Sequence, residues 1–206
     1  TGNAGLNLTN TGNTAITSFD ASGVTAATAA AGVVTFTSAN VTTTATPTIA
    51  GGAGNDVLTG AAASVAETIT GNGGNDTIDG QAGVDTMSGG AGNDIFQFDT
   101  AELLGTDIVD GGEGTDTVET MDASVIVDAD FANMTSVETL VMDAGNAHTL
   151  TLGAASLAAG ITTVTATGAG ANNITVGAGH AGSLTITSGT AGDTFTMSGV
   201  AAGNTM

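Results

Sequence analysis

Between residues 51 and 119 one large apolar side chain recurs at a step of about nine residues, two places after an acidic one, in glycine-rich surroundings. Windows that start at 51, 62, 71, 80, 89, 102 and 111 read GGAGNDVLT, AASVAETIT, GNGGNDTID, GQAGVDTMS, GGAGNDIFQ, ELLGTDIVD and GGEGTDTVE. Position eight is apolar throughout: Leu58, Ile69, Ile78, Met87, Phe96, Val109 and Val118. Position six is acidic throughout: Asp56, Glu67, Asp76, Asp85, Asp94, Asp107 and Asp116. Position four is Gly in every window but the second, which has Val65. So much glycine suits neither a helix nor a long strand. The pattern predicts a six-residue turn and a three-residue strand with one side chain inward, repeated as a solenoid.

Two units make one coil, so units two apart stack at sheet spacing, roughly 4.8 Å. The predicted fold is all-β, a right-handed parallel β-solenoid of the β-roll kind with β-helical flanking coils. One edge stacks the turns that begin at 51, 71, 89 and 111. The other stacks those at 62, 80 and 102. Two spacers interrupt the step: Gly60 and Ala61 before the second window, and residues 98–101 before the sixth.

Both flanks also read as strands. LNLTNTGNTAITSF, LTLGAASLAAGITTVTATG, NITVGAGHAGSLTITSG and DTFTMSG alternate apolar residues with Thr or Asn between glycine-rich turns. Asn173 is expected at the acidic position in one coil and Asp193 in another. The stretch 123–145 differs: VIV and SVETLVM read as strands, with DFANMTS between them as a short helical turn capped by Asp130. The division that follows is an arm over 1–50, the acidic repeat over 51–119 and a second arm over 120–206.

Charge sharpens this picture. The chain of 206 residues has no Lys or Arg, and its 20 acidic residues give a formal charge of −20. Thirteen of them lie in 51–119, one in 1–50 and six in 120–206. Ordinary ion pairs are excluded, and so is a basic footprint for nucleic acid or anionic lipid. Folding would concentrate negative charge, so a cation must come from outside. Stacked turns bring Asp carboxylates and glycine carbonyls together, an all-oxygen, anionic set that suits Ca²⁺. Neighbouring turns leave three gaps on the first edge and two on the second, so up to five calcium ions are expected.

Cysteine is absent and aromatics are 3%, so neither disulfides nor a core of large side chains is expected. No apolar run is long enough to span a membrane. The chain starts at Thr1 in mid-pattern and reads as a segment of a longer protein.

The nonapeptide GGxGxDxUx resembles that of the calcium-binding RTX proteins. The opening TGNAGLNLTNTGNTAITSFDAS, with VTFTSAN and then GGAGNDVLTG, is similar to bacterial RTX surface-layer proteins of the caulobacter type. The likeness is close over 1–60, general through 119 and looser beyond, where SVETLVM resembles an element found between coils. It implies type I secretion, folding in external calcium and self-assembly into a two-dimensional lattice on the bacterial surface. Attachment to lipopolysaccharide would use a domain outside this chain. It also implies as ligands the seven position-six residues with the carbonyls of Gly51, Gly71, Gly80, Gly89 and Gly111.

One rival is the calcium module of a secreted enzyme. The chain has neither HExxH nor GxSxG, and His148 and His180 read as exposed turn residues, so no catalysis is expected within it. Another is an adhesin or ice-binding solenoid, which needs threonines aligned at one position; here Thr is spread over positions seven, nine and others. Asn7, Asn40, Asn133 and Asn173 begin NxS/T triplets, read as turn caps rather than glycosylation sites.

Overall fold

Each repeat becomes one short strand because its position-eight residue points inward while its neighbours stay at the surface. The computed structural model describes residues 5–10, 16–25, 32–39, 45–99, 102–103, 105–122, 125–142 and 145–198. Asn40, Thr100, Ala101 and the ends of both arms lie outside the described residues.

The strands form three all-parallel sheets around one core. A long sheet of nine runs through Leu6–Thr9, Val34–Thr37, Val57–Thr59, Thr77–Asp79, Ile95–Phe98, Thr117–Thr120, Thr139–Met142, Thr163–Ala166 and Thr185–Ser188. It crosses positions 50 and 119 without a break. The opposite face is divided. A six-stranded sheet carries Ser18–Asp20, Thr48–Ala50, Thr68–Gly73, Thr86–Ala91, Ile108–Glu113 and Met134–Thr135. A four-stranded sheet carries Val125–Ile126, Thr149–Leu152, Asn173–Val176 and Thr194–Met197. The chain is thus a parallel β-solenoid, as the repeat predicts.

Register confirms which units stack. Phe36, Leu58, Ile78, Phe96, Val118, Leu140 and Val164 form one continuous ladder in the long sheet. Ile49, Ile69, Met87 and Val109 face them from the six-stranded sheet. The expectation of a core without large side chains is corrected. Phe36, Phe96, Phe98 and Phe131 are buried, and Phe19 and Phe195, partly buried, pack against the core. Few aromatics suffice because all six go inward. Strands Thr68–Gly73, Thr86–Ala91 and Ile108–Glu113 also run into the first residues of the next window, so the turns are shorter than six residues.

The sheets of the second face change over at 125–135. A 3₁₀ turn, Asp128–Phe131, separates the first strand of one from the last strand of the other. Asp130 lies within this turn, not before it as a cap, and its carboxylate accepts the Val127 N–H at 2.8 Å. A single α-helical piece among the described residues, Ala154–Ala159, packs on that turn. Asp128 holds it by accepting N–H groups from Gly153 (2.6 Å), Ala155 (3.0 Å) and Ser156 (2.9 Å). A carboxylate at the first turn of a helix meets otherwise unpaired donors.

Candidate metal centre

The acidic residue of each repeat is placed by its strand: when position eight turns inward, so does position six, two residues earlier. All seven position-six residues are buried. One carboxylate oxygen of each coil accepts the backbone N–H of the position-six residue in the coil before. On the first edge the bonds run Asp56 N–H to Asp76 Oδ1 (2.7 Å), Asp76 N–H to Asp94 Oδ1 (2.8 Å) and Asp94 N–H to Asp116 Oδ1 (2.8 Å). Val34 N–H starts this ladder by donating to Asp56 Oδ1 at 2.7 Å. On the second edge Glu67 N–H donates to Asp85 Oδ1 (2.7 Å) and Asp85 N–H to Asp107 Oδ1 (2.8 Å). The two edges therefore collect the residues expected of them.

The second oxygen decides what the ladder can hold. Oδ2 of Asp76, Asp85, Asp94 and Asp116 is buried without any hydrogen-bond partner. Glycine geometry shows where two of these atoms point. A Cβ on Gly71 would collide with Asp76 Oδ2 and lie 2.6 Å from the carbonyl oxygen of Gly89. A Cβ on Gly89 would collide with Asp94 Oδ2 and lie 2.6 Å from the Gly111 carbonyl oxygen. Carboxylate and carbonyl oxygens of adjacent coils thus face a common space that only glycine leaves open. Gly51 stands in the same relation to Asp56 Oδ2 and the Gly71 carbonyl, though there Oδ2 accepts the Gly52 N–H at 2.5 Å.

Among the described residues no three His, Cys, Asp or Glu side chains cluster around one point. An ion held here takes much of its shell from backbone carbonyls. A hard, oxygen-loving cation with flexible coordination fits that set, which is the chemistry of Ca²⁺. The electrostatics agree. Burial, helped by neighbouring carboxylates, pushes the Asp76 and Asp85 carboxyls up to about 7. Burial with the Asp116 charge pushes Asp94 up to about 6. Burial also raises Asp56, Glu67, Asp107 and Asp116. These anions are held together with no cationic side chain to offset them.

The second edge departs from expectation in register. Gly60, read as a spacer, stands opposite Gly80, because Thr59 pairs with Asp79. A Cβ on Gly60 would collide with Glu67 Oε2 and the Gly80 carbonyl oxygen. Gly60 is therefore the leading glycine of its coil, and the extra residues lie inside the turn. The same offset puts buried Phe98 opposite Gly80 in the next coil, since Asp79 pairs with Gln97. The atoms nearest to a Cβ on Gly80 are then Asp85 Oδ2 at 2.8 Å and Met87 Sδ at 3.1 Å rather than a carbonyl oxygen. Pro47, the single proline, has no N–H to offer at the start of this edge. Glu67 instead accepts the Ala61 N–H (2.6 Å) and the Ser38 hydroxyl (3.0 Å).

The outer asparagines of the repeat have their own ladder. Asn75 N–H donates to Asn55 Oδ1, Asn93 N–H to Asn75 Oδ1 and Thr115 N–H to Asn93 Oδ1, each at 2.9 Å. Next to them Gly74, Gly92 and Gly114 have φ of 109°, 136° and 141°, a backbone that an L side chain rarely adopts.

Residues outside the seven windows were missed. Glu138 extends the first ladder, its Oε2 accepting the Asp116 N–H at 2.8 Å. The signal was present, since Glu138 stands two places before buried Leu140. A third ladder runs along the four-stranded sheet: His148 N–H donates to Asn172 Oδ1 (3.0 Å) and Asn172 N–H to Asp193 Oδ1 (2.8 Å). The residue in the acidic position is thus Asn172; Asn173, one place later, is exposed because Ile174 takes the inward position. Neither histidine is an exposed turn residue. His148 is 2% exposed and His180 0%, because the first occupies a ladder position and the second lies over the helical piece, its Nδ1 3.3 Å from Ser156 Oγ.

A profile of the RTX calcium-binding nonapeptide repeat, in four copies, matches residues 48–64, 63–96 and 104–119, under half of the chain. The chain therefore carries calcium-binding RTX repeats, a class typical of proteins secreted by the type I route. Comparison with curated proteins and with solved structures gave no match. Among the described residues no helix is long and apolar enough to cross a membrane.

Proposed function

We propose that the chain is a structural segment of a secreted, calcium-stabilised bacterial surface layer that self-assembles into a two-dimensional lattice. The observation that supports this reading is the ladder of buried carboxylates with unpartnered oxygens in a protein without cationic side chains. Such a fold depends on calcium supplied from outside. Calcium binds the stacked coils and not the extended chain, so it stabilises the fold by mass action. Where calcium is scarce, as inside a cell, repulsion keeps the chain loose and exportable. Outside, the coils close, and lattice contacts are assigned to calcium shared between acidic rims. The segment acts as scaffold rather than enzyme, and binding to lipopolysaccharide is assigned to a region outside these residues.

Electron microscopy of the chain in millimolar calcium and in chelator tests this. Ordered sheets that form only with calcium are the expected result. Compact single particles with calcium would move the assembly role elsewhere and favour a calcium-folding module of a secreted enzyme or adhesin. One observation favours the adhesin or ice-binding branch. Positions seven and nine both face outward, so in the four-stranded sheet Thr151, Thr175 and Thr196 align, flanked by Thr149, Asn173 and Thr194. Inhibition of ice recrystallisation by the calcium-loaded chain would favour that branch.

A further inference from the structure

We infer that the coil after the last nonapeptide completes one more divalent-cation site, built from Asp116, Ser136 and Glu138. The inference rests on the calcium reading of the repeats but lies beyond the matched segments, which end at residue 119. Register places it. Val109 pairs with Met134 and Asp110 with Thr135, so Ser136 stands opposite Gly111, where a leading glycine would be. A Cβ on Gly111 would collide with the Ser136 carbonyl oxygen and lie 2.5 Å from Asp116 Oδ2. Asp94 Oδ2 and the Gly111 carbonyl meet the same way one coil earlier.

Asp116 is 1% exposed, and its Oδ2, aimed into this space, has no hydrogen-bond partner. Glu138 is the next rung of the same ladder, accepting the Asp116 N–H through Oε2. It reaches that position from a turn of only Ser136, Val137 and Glu138, with a side chain one methylene longer than aspartate. Ser136 sits at φ 54°, a conformation that strains a non-glycine residue, and its carbonyl oxygen faces the gap beside Gly111. Two carboxylates and a carbonyl make an all-oxygen, anionic set for Ca²⁺. The site borders the second arm, because Val137 N–H donates to the Ala159 carbonyl at 3.0 Å. Calcium here ties the repeat block to the coils that follow.

The test counts calcium bound by the full chain, by equilibrium dialysis with elemental analysis, for wild type, Glu138→Gln and Asp94→Asn. Glu138→Gln keeps an acceptor for Asp116 N–H and removes the charge. One ion fewer in Glu138→Gln than in wild type is expected. An unchanged count in Glu138→Gln with a reduced count in Asp94→Asn overturns the inference and leaves the repeats as calcium sites. No ion in wild type overturns the calcium reading itself. Crystals of wild type grown in calcium provide a measurement that no variant can spoil. Density about 2.3–2.6 Å from both Asp116 Oδ2 and Ser136 O is expected; density confined to the Asp76 and Asp94 gaps overturns the site.

Discussion

The repeat block and the second arm use the same rung and complete it differently. In both, a side-chain oxygen at position six accepts the N–H of the preceding coil. In the block the rung is a carboxylate such as Asp76, whose other oxygen has no partner. In the arm the first rung is Asn172, whose amide nitrogen donates to the carbonyls of Ala166 and Gly170 at 3.3 Å and to Asp193 Oδ1 at 3.2 Å, while the next rung, Asp193, is again a carboxylate whose Oδ2 has no partner. The amide group thus bridges turn carbonyls and a carboxylate from within the chain, where a carboxylate rung needs an external cation. Asp128 carries the contrast further. Burial pushes its carboxyl up, but bonds from Ser156, Ala155 and Gly153 outweigh this and hold it below the ordinary value. Asp76, with one such bond, ends at about 7. Placing a buried carboxylate is not enough; what supplies its second partner decides whether a coil stands alone.

Several changes would break or sharpen this contrast. The largest effect is expected from Gly89→Ala, whose Cβ meets Asp94 Oδ2 and the Gly111 carbonyl, while Gly192→Ala in the arm has nothing within 4 Å. Melting in calcium should show a loss of roughly 3 kcal/mol for the first and about zero for the second; equal losses would contradict the placement of the gap. Next comes Asn172→Asp, which gives the arm a carboxylate rung. In chelator it should destabilise the arm by about 1–3 kcal/mol, with much of that regained on adding calcium. Loss that calcium does not reverse would argue against the equivalence of the two rungs.

The smallest effect concerns pH. Without metal, a carboxyl whose value is raised by folding contributes stability that is full below its unfolded value, near 3.8, and lost as pH rises through its folded one. For Asp76, Asp85 and Asp94 that loss is complete at about 6 to 7. In chelator, far-ultraviolet circular dichroism should therefore show β structure growing as pH falls from 8 to 5. Asp128, shifted the other way, opposes this in the arm only at lower pH. In calcium the sign reverses, since protons compete for the same oxygens: acid should raise the calcium midpoint.

Much of the fold was legible because each repeat carried two signals. Position eight had to be apolar and position six acidic, and a period of about nine then dictated which turns stack. Register was harder where turn length changes. Gly60 reads as a spacer until Thr59 is seen opposite Asp79, because a solenoid keeps strand register and lets the turn absorb extra residues. Glu138 was hidden for the opposite reason: its turn is short and its leading residue is Ser136, so no glycine announces it. Asn172 and Asn173 are adjacent and chemically identical, and only the inward turn of Ile174 separates rung from surface. His148 and His180 were misplaced because burial of an imidazole depends on neighbours 24 residues away, Asn172 and Ser156.

Hydrogen exchange of the full chain, with calcium and with chelator, tests the contrast most directly. The amides of Asp56, Asp76, Asp94 and Asp116 should lose protection when calcium is removed, while those of His148 and Asn173, which bond to Asn172 Oδ1 and the His148 carbonyl, keep most of theirs. Equal loss in both regions, or protection at the Asp rungs that survives chelation, would contradict it.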